Sequence, residues 1–241
     1  MKLVVLTDIH ANLEAFKAIL NEIGTINPDR IISLGDNVGY GADPEQVMLL
    51  LKQTNIESVL GNHEFAVVNE KFINWFNPTA QIAVNYTKTH LSPESVATIK
   101  TYKKSLVIHD IRFVHGAPPN AVSVYLFQLS DEKLMRNLDK MDEMICFAGH
   151  THDLGLIEYD GKMLSRKPLK KGITQLSRDY KYIVNTGSVG QPRDGDNSAK
   201  FILFDTETYS IDVRYVPYDF KVAAGKIIDA GLPVTYADKL Y

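Results

Sequence analysis

Leu3-Val4-Val5-Leu6-Thr7-Asp8-Ile9-His10, at the head of the chain, is an apolar run of strand length that closes on Asp-x-His. Unbroken apolar character predicts a strand buried on both faces, central in its sheet, with two metal-capable side chains delivered at its C-terminal end. The arrangement recurs. Gly35-Asp36, Gly61-Asn62-His63-Glu64, His115-Gly116 and Gly149-His150-Thr151-His152 stand further along, and most of them also follow a short apolar run. Strand ends offering Asp, His and Asn are expected to converge on one edge of a sheet, where ligands bind in open α/β folds.

Between these marks strand and helix alternate. Asn12 is placed to cap a helix whose apolar positions Leu13, Phe16, Ile19, Leu20 and Ile23 keep helical spacing as far as Gly24. Asn27-Pro28-Asp29 turns the chain into a strand over 30–34, a loop holding Gly39 and Gly41 leads to a helix opening at Asp43-Pro44, and residues 58–60 read as a third strand. Three strand–helix units in succession imply right-handed crossovers and parallel pairing. Residues 65–104 are helical and less regular, with Trp75 and Phe76 beside Asn77-Pro78. They are expected to pack over the sheet or to form a partial lid beside the active-site edge. Residues 106–109 and 111–115 predict a hairpin about Asp110, 129–138 a helix, and 144–148 a further buried strand. Four more strands, over 156–159, 182–185, 200–204 and 211–216, precede a last helix over 219–230 that stops at Gly231. No internal repeat or low-complexity linker interrupts the pattern, so residues 1–241 are expected to form a single domain of two packed sheets with flanking helices.

Composition narrows the function class. An apolar share of 45% and a charged share of 23% belong to an ordinary globular protein, and a formal net charge of -3 gives no general pull toward nucleic acid. The one dense basic cluster, Arg166, Lys167, Lys170 and Lys171 around Pro168 and Gly172, reads as a solvated turn rather than a phosphate contact. Cys146 lies in an apolar run and reads as a small buried hydrophobe; as the single cysteine it permits no internal disulfide, which suits a reducing compartment. No apolar run approaches the roughly 18 residues of a membrane span, and the N-terminus lacks a signal-peptide core. A cytoplasmic location is expected.

Taken singly, each motif is weak, because Gly-Asp and Gly-His pairs serve many loops for conformational reasons. Their order and completeness carry the weight. Asp8-x-His10, Gly35-Asp36, Gly61-Asn62-His63-Glu64, His115 and Gly149-His150-Thr151-His152 resemble the calcineurin-like metallophosphoesterases in every signature block. The run Asn185-Thr186-Gly187-Ser188-Val189-Gly190-Gln191-Pro192-Arg193 resembles the small bacterial and archaeal phosphodiesterase branch of that family. The resemblance implies an α/β fold, an αββα sandwich of two mixed sheets flanked by helices.

It also implies a ligand set. Asp8, His10 and His152 would hold one divalent transition-metal ion, Asn62, His115 and His150 a second, and Asp36 would bridge the two. Mixed imidazole and oxygen donors suit manganese, taken first, or Fe, Zn, Co or Ni rather than calcium. A bridging carboxylate answers the repulsion of two cations roughly 3.5–4 Å apart, and the neutral Asn62 leaves the cluster net positive toward a phosphate anion. The implied reaction is hydrolysis of a small phosphodiester or nucleotide by in-line attack of a metal-bridging hydroxide, with His63 as general acid. No membrane or nucleic-acid partner is expected. Arg193 is a candidate for binding the substrate phosphate, and Glu64 for local structural support. His90 and His109 match no motif and are assigned to the surface or to structure. Neither glycine set, Gly35, Gly39 and Gly41 or Gly187 and Gly190, has nucleotide-loop spacing. Members of the branch often carry a basic residue soon after His-Gly-x-Pro, whereas here Pro119 and Asn120 follow Pro118. A phosphomonoesterase, including a phosphoprotein phosphatase, is the alternative activity. The alternative class is a non-catalytic protein-binding scaffold, and scaffolds of this family lack the histidine that stands here at position 63.

Overall fold

In the computed structural model, which describes residues 1–241, the opening apolar run forms β1 (Lys2–Leu6). Its side chains alternate, Leu3 and Val5 entering one buried cluster and Val4 and Leu6 another, as a period of two requires. In α1 (Leu13–Ile26) the Asn12 Oδ1 accepts the Ala15 N–H at 3.1 Å, satisfying one of the free donors of the first turn. This helix continues past the expected stop at Gly24 and closes on Asn27, whose left-handed φ of 50° and N–H bond to the Ile23 carbonyl cap it instead. Asparagine tolerates that conformation, and Pro28 forbids further helix.

β2 (Arg30–Ser33), α2 (Pro44–Gln53) and β3 (Glu57–Ser58) complete three strand–helix units. Their strands pair in parallel. The irregular stretch resolves into α3 (Asn62–Val68), α4 (Glu70–Ile73), α5 (Pro78–His90) and α6 (Pro93–Ile99). The hairpin of β4 (Ser105–Ile108) and β5 (Ile111–Val114) follows, then a 3-10 turn (Leu126–Gln128), α7 (Asp131–Asp139) and β6 (Ile145–Ala148). Beyond it come β7 (Leu154–Tyr159), β8 (Leu164–Pro168), β9 (Gly172–Gln175), β10 (Lys181–Thr186), β11 (Ala199–Asp205) and β12 (Ser210–Val216). The chain ends on α8 (Phe220–Asp229) and α9 (Val234–Asp238).

Two six-stranded mixed sheets result, ordered β3-β2-β1-β11-β12-β9 and β4-β5-β6-β10-β7-β8. Leu3, Val5, Ile32, Ile202 and Phe204 of the first meet Phe113, Phe147, Tyr182 and Val184 of the second in one buried cluster. Burial of a side chain of this size contributes about 1.5–3 kcal/mol. On the outer face of the first sheet Phe16, Ile19 and Ile23 of α1 cover Val4 and Leu6; on that of the second, Leu134 and Leu138 of α7 cover Cys146 and Ile183. The layers run helix, sheet, sheet, helix.

Part of the basic cluster departs from expectation. Arg166 and Lys167 lie within β8, an edge strand paired antiparallel to β7, and not in a turn. Their ion pairs with Asp131 and Glu158, each at 2.5 Å, lie at the surface.

Candidate functional site

The chemistry-bearing residues come from both sheets, not from one edge of a single sheet. Three parallel strands of each, β1, β2, β3 and β5, β6, β10, end in the loops that carry them. Asp8 and His10 follow β1, Asp36 follows β2, Asn62 and His63 open α3 after β3, His115 follows β5, and His150 and His152 follow β6. Every one of these side chains is buried. Asp8, His10, Asp36, His150 and His152 have left-handed backbones, with φ between 50° and 69°. Five strained residues in one place mark a geometry imposed by the fold around them, not by local preference.

Hydrogen bonds set the imidazole tautomers. Nδ1 of His10 faces the Val38 carbonyl at 3.2 Å, Nδ1 of His115 the Leu34 carbonyl at 2.9 Å, and Nδ1 of His152 the Gln191 carbonyl at 2.5 Å. A carbonyl only accepts, so each Nδ1 carries a proton and Nε2 is the nitrogen left to face a metal. Those Nε2 atoms converge on two groups of oxygens and nitrogens. His10 Nε2 lies 3.1 Å from His152 Nε2, and Asp8 Oδ1, which has no hydrogen-bond partner, lies 3.6 Å from the first and 3.2 Å from the second. Around His115 Nε2 stand Asn62 Oδ1 at 3.0 Å, His150 Nδ1 at 3.1 Å and Asp36 Oδ2 at 3.1 Å. The same Asp36 oxygen is 3.9 Å from His10 Nε2, which places it between the two groups.

Acceptors crowded face to face in a buried site repel unless a cation stands among them. Asp8, His10 and His152 form one group that can hold a metal ion, and Asp36, His115 and His150 a second, with ligand atoms within 4.8 Å of one another. A further grouping of His10, Asp36 and His63 meets the same limit, so His63 stands within ligand reach as well. The donor set fits divalent transition metals. Charge states agree for the carboxylates and for His10, His63 and His150, but not for His115. Burial pushes the Asp8 and Asp36 carboxyls up, but His152 and His115 beside them outweigh it and hold both below the usual range. Burial keeps His10 low and takes His150 and His63 down to about 3. At His115 burial is overcome by the Asp36 carboxylate, which lifts the pKa to about 9, so without metal its Nε2 holds a proton toward Asp36 that a bound cation would displace. Neutral imidazoles and ionised carboxylates are the forms that bind metal.

Support comes from residues around the ligands. The Glu64 carboxylate accepts four backbone N–H groups, from Asp36 at 2.8 Å, Asn37 at 2.6 Å, Val38 at 3.2 Å and Gly61 at 3.1 Å. It thereby ties the loop after β2 to the start of α3. Burial and the Asp36 charge push its pKa up to about 7. Asp36 Oδ1 accepts the His63 N–H at 2.9 Å. The His63 ring fills the space where any side chain at Gly39 would lie, and its Nδ1 has no partner.

A cavity of about 420 Å³ opens over Asp36, Asn62, His150 and His152. Arg193 lines it, exposed and without an ion pair, and Phe72, Trp75, Phe76, Asn77 and Ala80 form one wall. The segment between α3 and α5 therefore flanks the site, while α6 packs Ile99 into the core. Pro119 and Asn120 do not reach this cavity; the same loop contributes Ser123, Val124 and Tyr125. Tyr125 stacks on His150 with ring centroids 3.9 Å apart, and Tyr40 packs on His10 and His63 at 4.3 Å and 4.4 Å. Neither tyrosine stood out in the sequence; the only signal for Tyr40 is its place between Gly39 and Gly41. His90 is exposed and stacked on Tyr86, and His109 turns the β4–β5 hairpin. Both lie outside the site.

Fold and site together describe an α/β sandwich with two buried groups of candidate metal ligands at one end of its parallel strands. Residues 1–209 match the calcineurin-like phosphoesterase superfamily domain, and the chain belongs to that family. It is 34% identical to an uncharacterized protein of Methanocaldococcus jannaschii, across 99% of this chain and 97% of the relative. Among solved structures it is similar to a metallophosphoesterase from Sphaerobacter thermophilus, with a TM-score of 0.87, 30% identity and coverage of 100% and 98% of the two chains. A hypothetical protein from Pyrococcus horikoshii shares the fold with a TM-score of 0.78 at 21% identity, covering 100% of this chain and 97% of the other. No helix is long and apolar enough to cross a membrane.

Proposed function

We propose that the protein is a dinuclear-metal-dependent phosphodiesterase acting on small substrates in the cytoplasm. The observation that carries the reading is the pair of buried acceptor groups sharing the Asp36 carboxylate, with Oδ2 at 3.1 Å from His115 Nε2 and 3.9 Å from His10 Nε2. Asp8, His10 and His152 would hold one cation and Asn62, His115 and His150 the other. When bound, two divalent ions, manganese first among the candidates, would supply an activated water nucleophile and neutralise charge on the phosphoryl oxygens.

The chain's own residues supply the rest. Burial makes His63 a neutral imidazole with one N–H to offer, and an incoming phosphate anion raises its affinity for a further proton. That suits proton donation to the leaving oxygen. Glu64 positions Asp36 and Asn62 relative to each other through its four N–H bonds. Arg193 is the one arginine or lysine lining the cavity. A single cation matches the single charge of a diester better than the double charge of a monoester.

The test is a comparison of bis(4-nitrophenyl) phosphate with 4-nitrophenyl phosphate on metal-reconstituted protein. The diester is expected to show the higher kcat/KM at the same pH and metal. The reverse order would establish a monoesterase, and no turnover with any of the candidate metals would leave a scaffold of the same fold.

A further inference from the structure

Trp75, the only tryptophan, is 84% exposed, more than any other large apolar side chain in the protein. It lines the cavity that opens over Asp36 and Asn62. Phe72 lies beside it with ring centroids 6.5 Å apart and planes 23° from parallel. Phe72 meets Phe76 edge-on at 5.9 Å, and Phe76 meets His63 edge-on at 5.0 Å. One aromatic wall thus runs from the cavity mouth to His63, with the Trp75 face open.

Uncommitted polar groups share the cavity. Asn77 spends its Oδ1 on the Ala80 N–H at 2.9 Å, and Gln128 its Oε1 on the Tyr125 N–H at 3.2 Å. Both line the cavity, and neither side-chain amide nitrogen donates within the chain. We propose that this wall is a base-binding subsite, so that the substrate class is a nucleotide whose base stacks on Trp75 while its phosphate lies over Asp36 and Asn62. The phosphate half rests on the phosphoesterase reading; the base half rests on the wall.

Three features favour a base over an acyl chain or a peptide. An open indole face beside a phosphate site offers stacking to any planar ring. Amide donors from Asn77 and Gln128 match the ring nitrogens and carbonyl oxygens at a base edge, whereas a hydrocarbon would leave them unpaired. A cavity of about 420 Å³ lies in the small-ligand range, too small for a folded partner.

Because Trp75 is the sole tryptophan, its emission reports on this wall alone. Metal-loaded protein would be titrated with AMP and with ribose 5-phosphate, which carries the same phosphate without a base. AMP is expected to quench the emission saturably and to bind roughly 5- to 150-fold more tightly, the worth of one base–aromatic stack. By calorimetry, Trp75→Ala should erase that difference and Trp75→Tyr should keep most of it. Equal affinity of the two ligands for wild type, or tighter AMP binding with unchanged emission, overturns the subsite. Hydrolysis of glycerophosphoglycerol, which has no ring, separates the two readings. Turnover with equal AMP and ribose 5-phosphate binding sinks the base site alone; base-dependent quenching with no turnover of any phosphoester supports the base site and sinks the hydrolase.

Discussion

Asp36 is the residue on which both ligand groups depend. Its Oδ2 faces His115 and His10, while Oδ1 accepts the His63 N–H at 2.9 Å. Asp36→Asn keeps the shape and removes the charge, so it should lower affinity at both metal positions. Elemental analysis after reconstitution should then give well under two ions per chain, against about two for wild type. A mutant that still binds two ions would refute the bridging role. His63 differs in kind, because the reading gives it a proton to move and no ion to hold. His63→Gln should retain wild-type metal content and lose about 10²- to 10⁴-fold in kcat on a diester with an alkoxide leaving group. The loss should shrink with nitrophenolate, which leaves without protonation. Full activity of the mutant on the alkyl diester would exclude His63 as the acid, and loss of one ion would make it a ligand.

Among the elements, those with an apolar signature were the legible ones. β1, β2, β5, β6, β10 and β11 are short apolar runs, and the loops after most of them carry the motifs, so the order of ligands along the chain was readable before the fold. β8 was not, because its sequence Leu-Ser-Arg-Lys-Pro is exposed along nearly its whole length and pairs only through β7. β9, another edge strand, and α9, a five-residue helix, carry too little periodicity to register. The tautomer-setting carbonyls of Leu34, Val38 and Gln191 had no signal at all, since any residue supplies a carbonyl and only the fold aims it. In the sequence Lys200 only opens the apolar run of β11. Its ammonium is fully buried, 2.9 Å from the Asp194 carboxylate, and donates to the carbonyls of Asp196 at 2.6 Å and Ser198 at 3.1 Å. It therefore anchors the loop that carries Arg193. Lys200→Met should reduce stability by about 1.5–3 kcal/mol, the worth of hydrogen bonds to a charged group, read as a lower urea midpoint. An unchanged midpoint would show that the loop holds without its anchor.

At the scale of the molecule, two sheets share one buried cluster and one ligand site, since strands of both fill the cluster and the loops after β1, β2, β3, β5 and β6 supply the candidate ligands. Separating the sheets would break the core and the site together, so unfolding should be a single cooperative transition. Metal should be linked to it. The acceptors of Asp8, His10 and His152 repel without a cation, and the unfolded chain has no such site, so an ion that binds only the folded form stabilises it. At free metal one hundred times the dissociation constant the gain is about 2.7 kcal/mol for one site, which for a chain of this size corresponds to roughly 5–11 °C in Tm. Chelation should lower the melting temperature by that amount or more, and re-addition of metal should restore it. In Asp36→Asn the same treatment should move Tm much less, because little metal is bound to begin with. A wild-type Tm unaffected by chelation, with metal loss verified by elemental analysis, would mean that the folded protein holds these acceptors together by packing alone and that the ion contributes nothing to the fold.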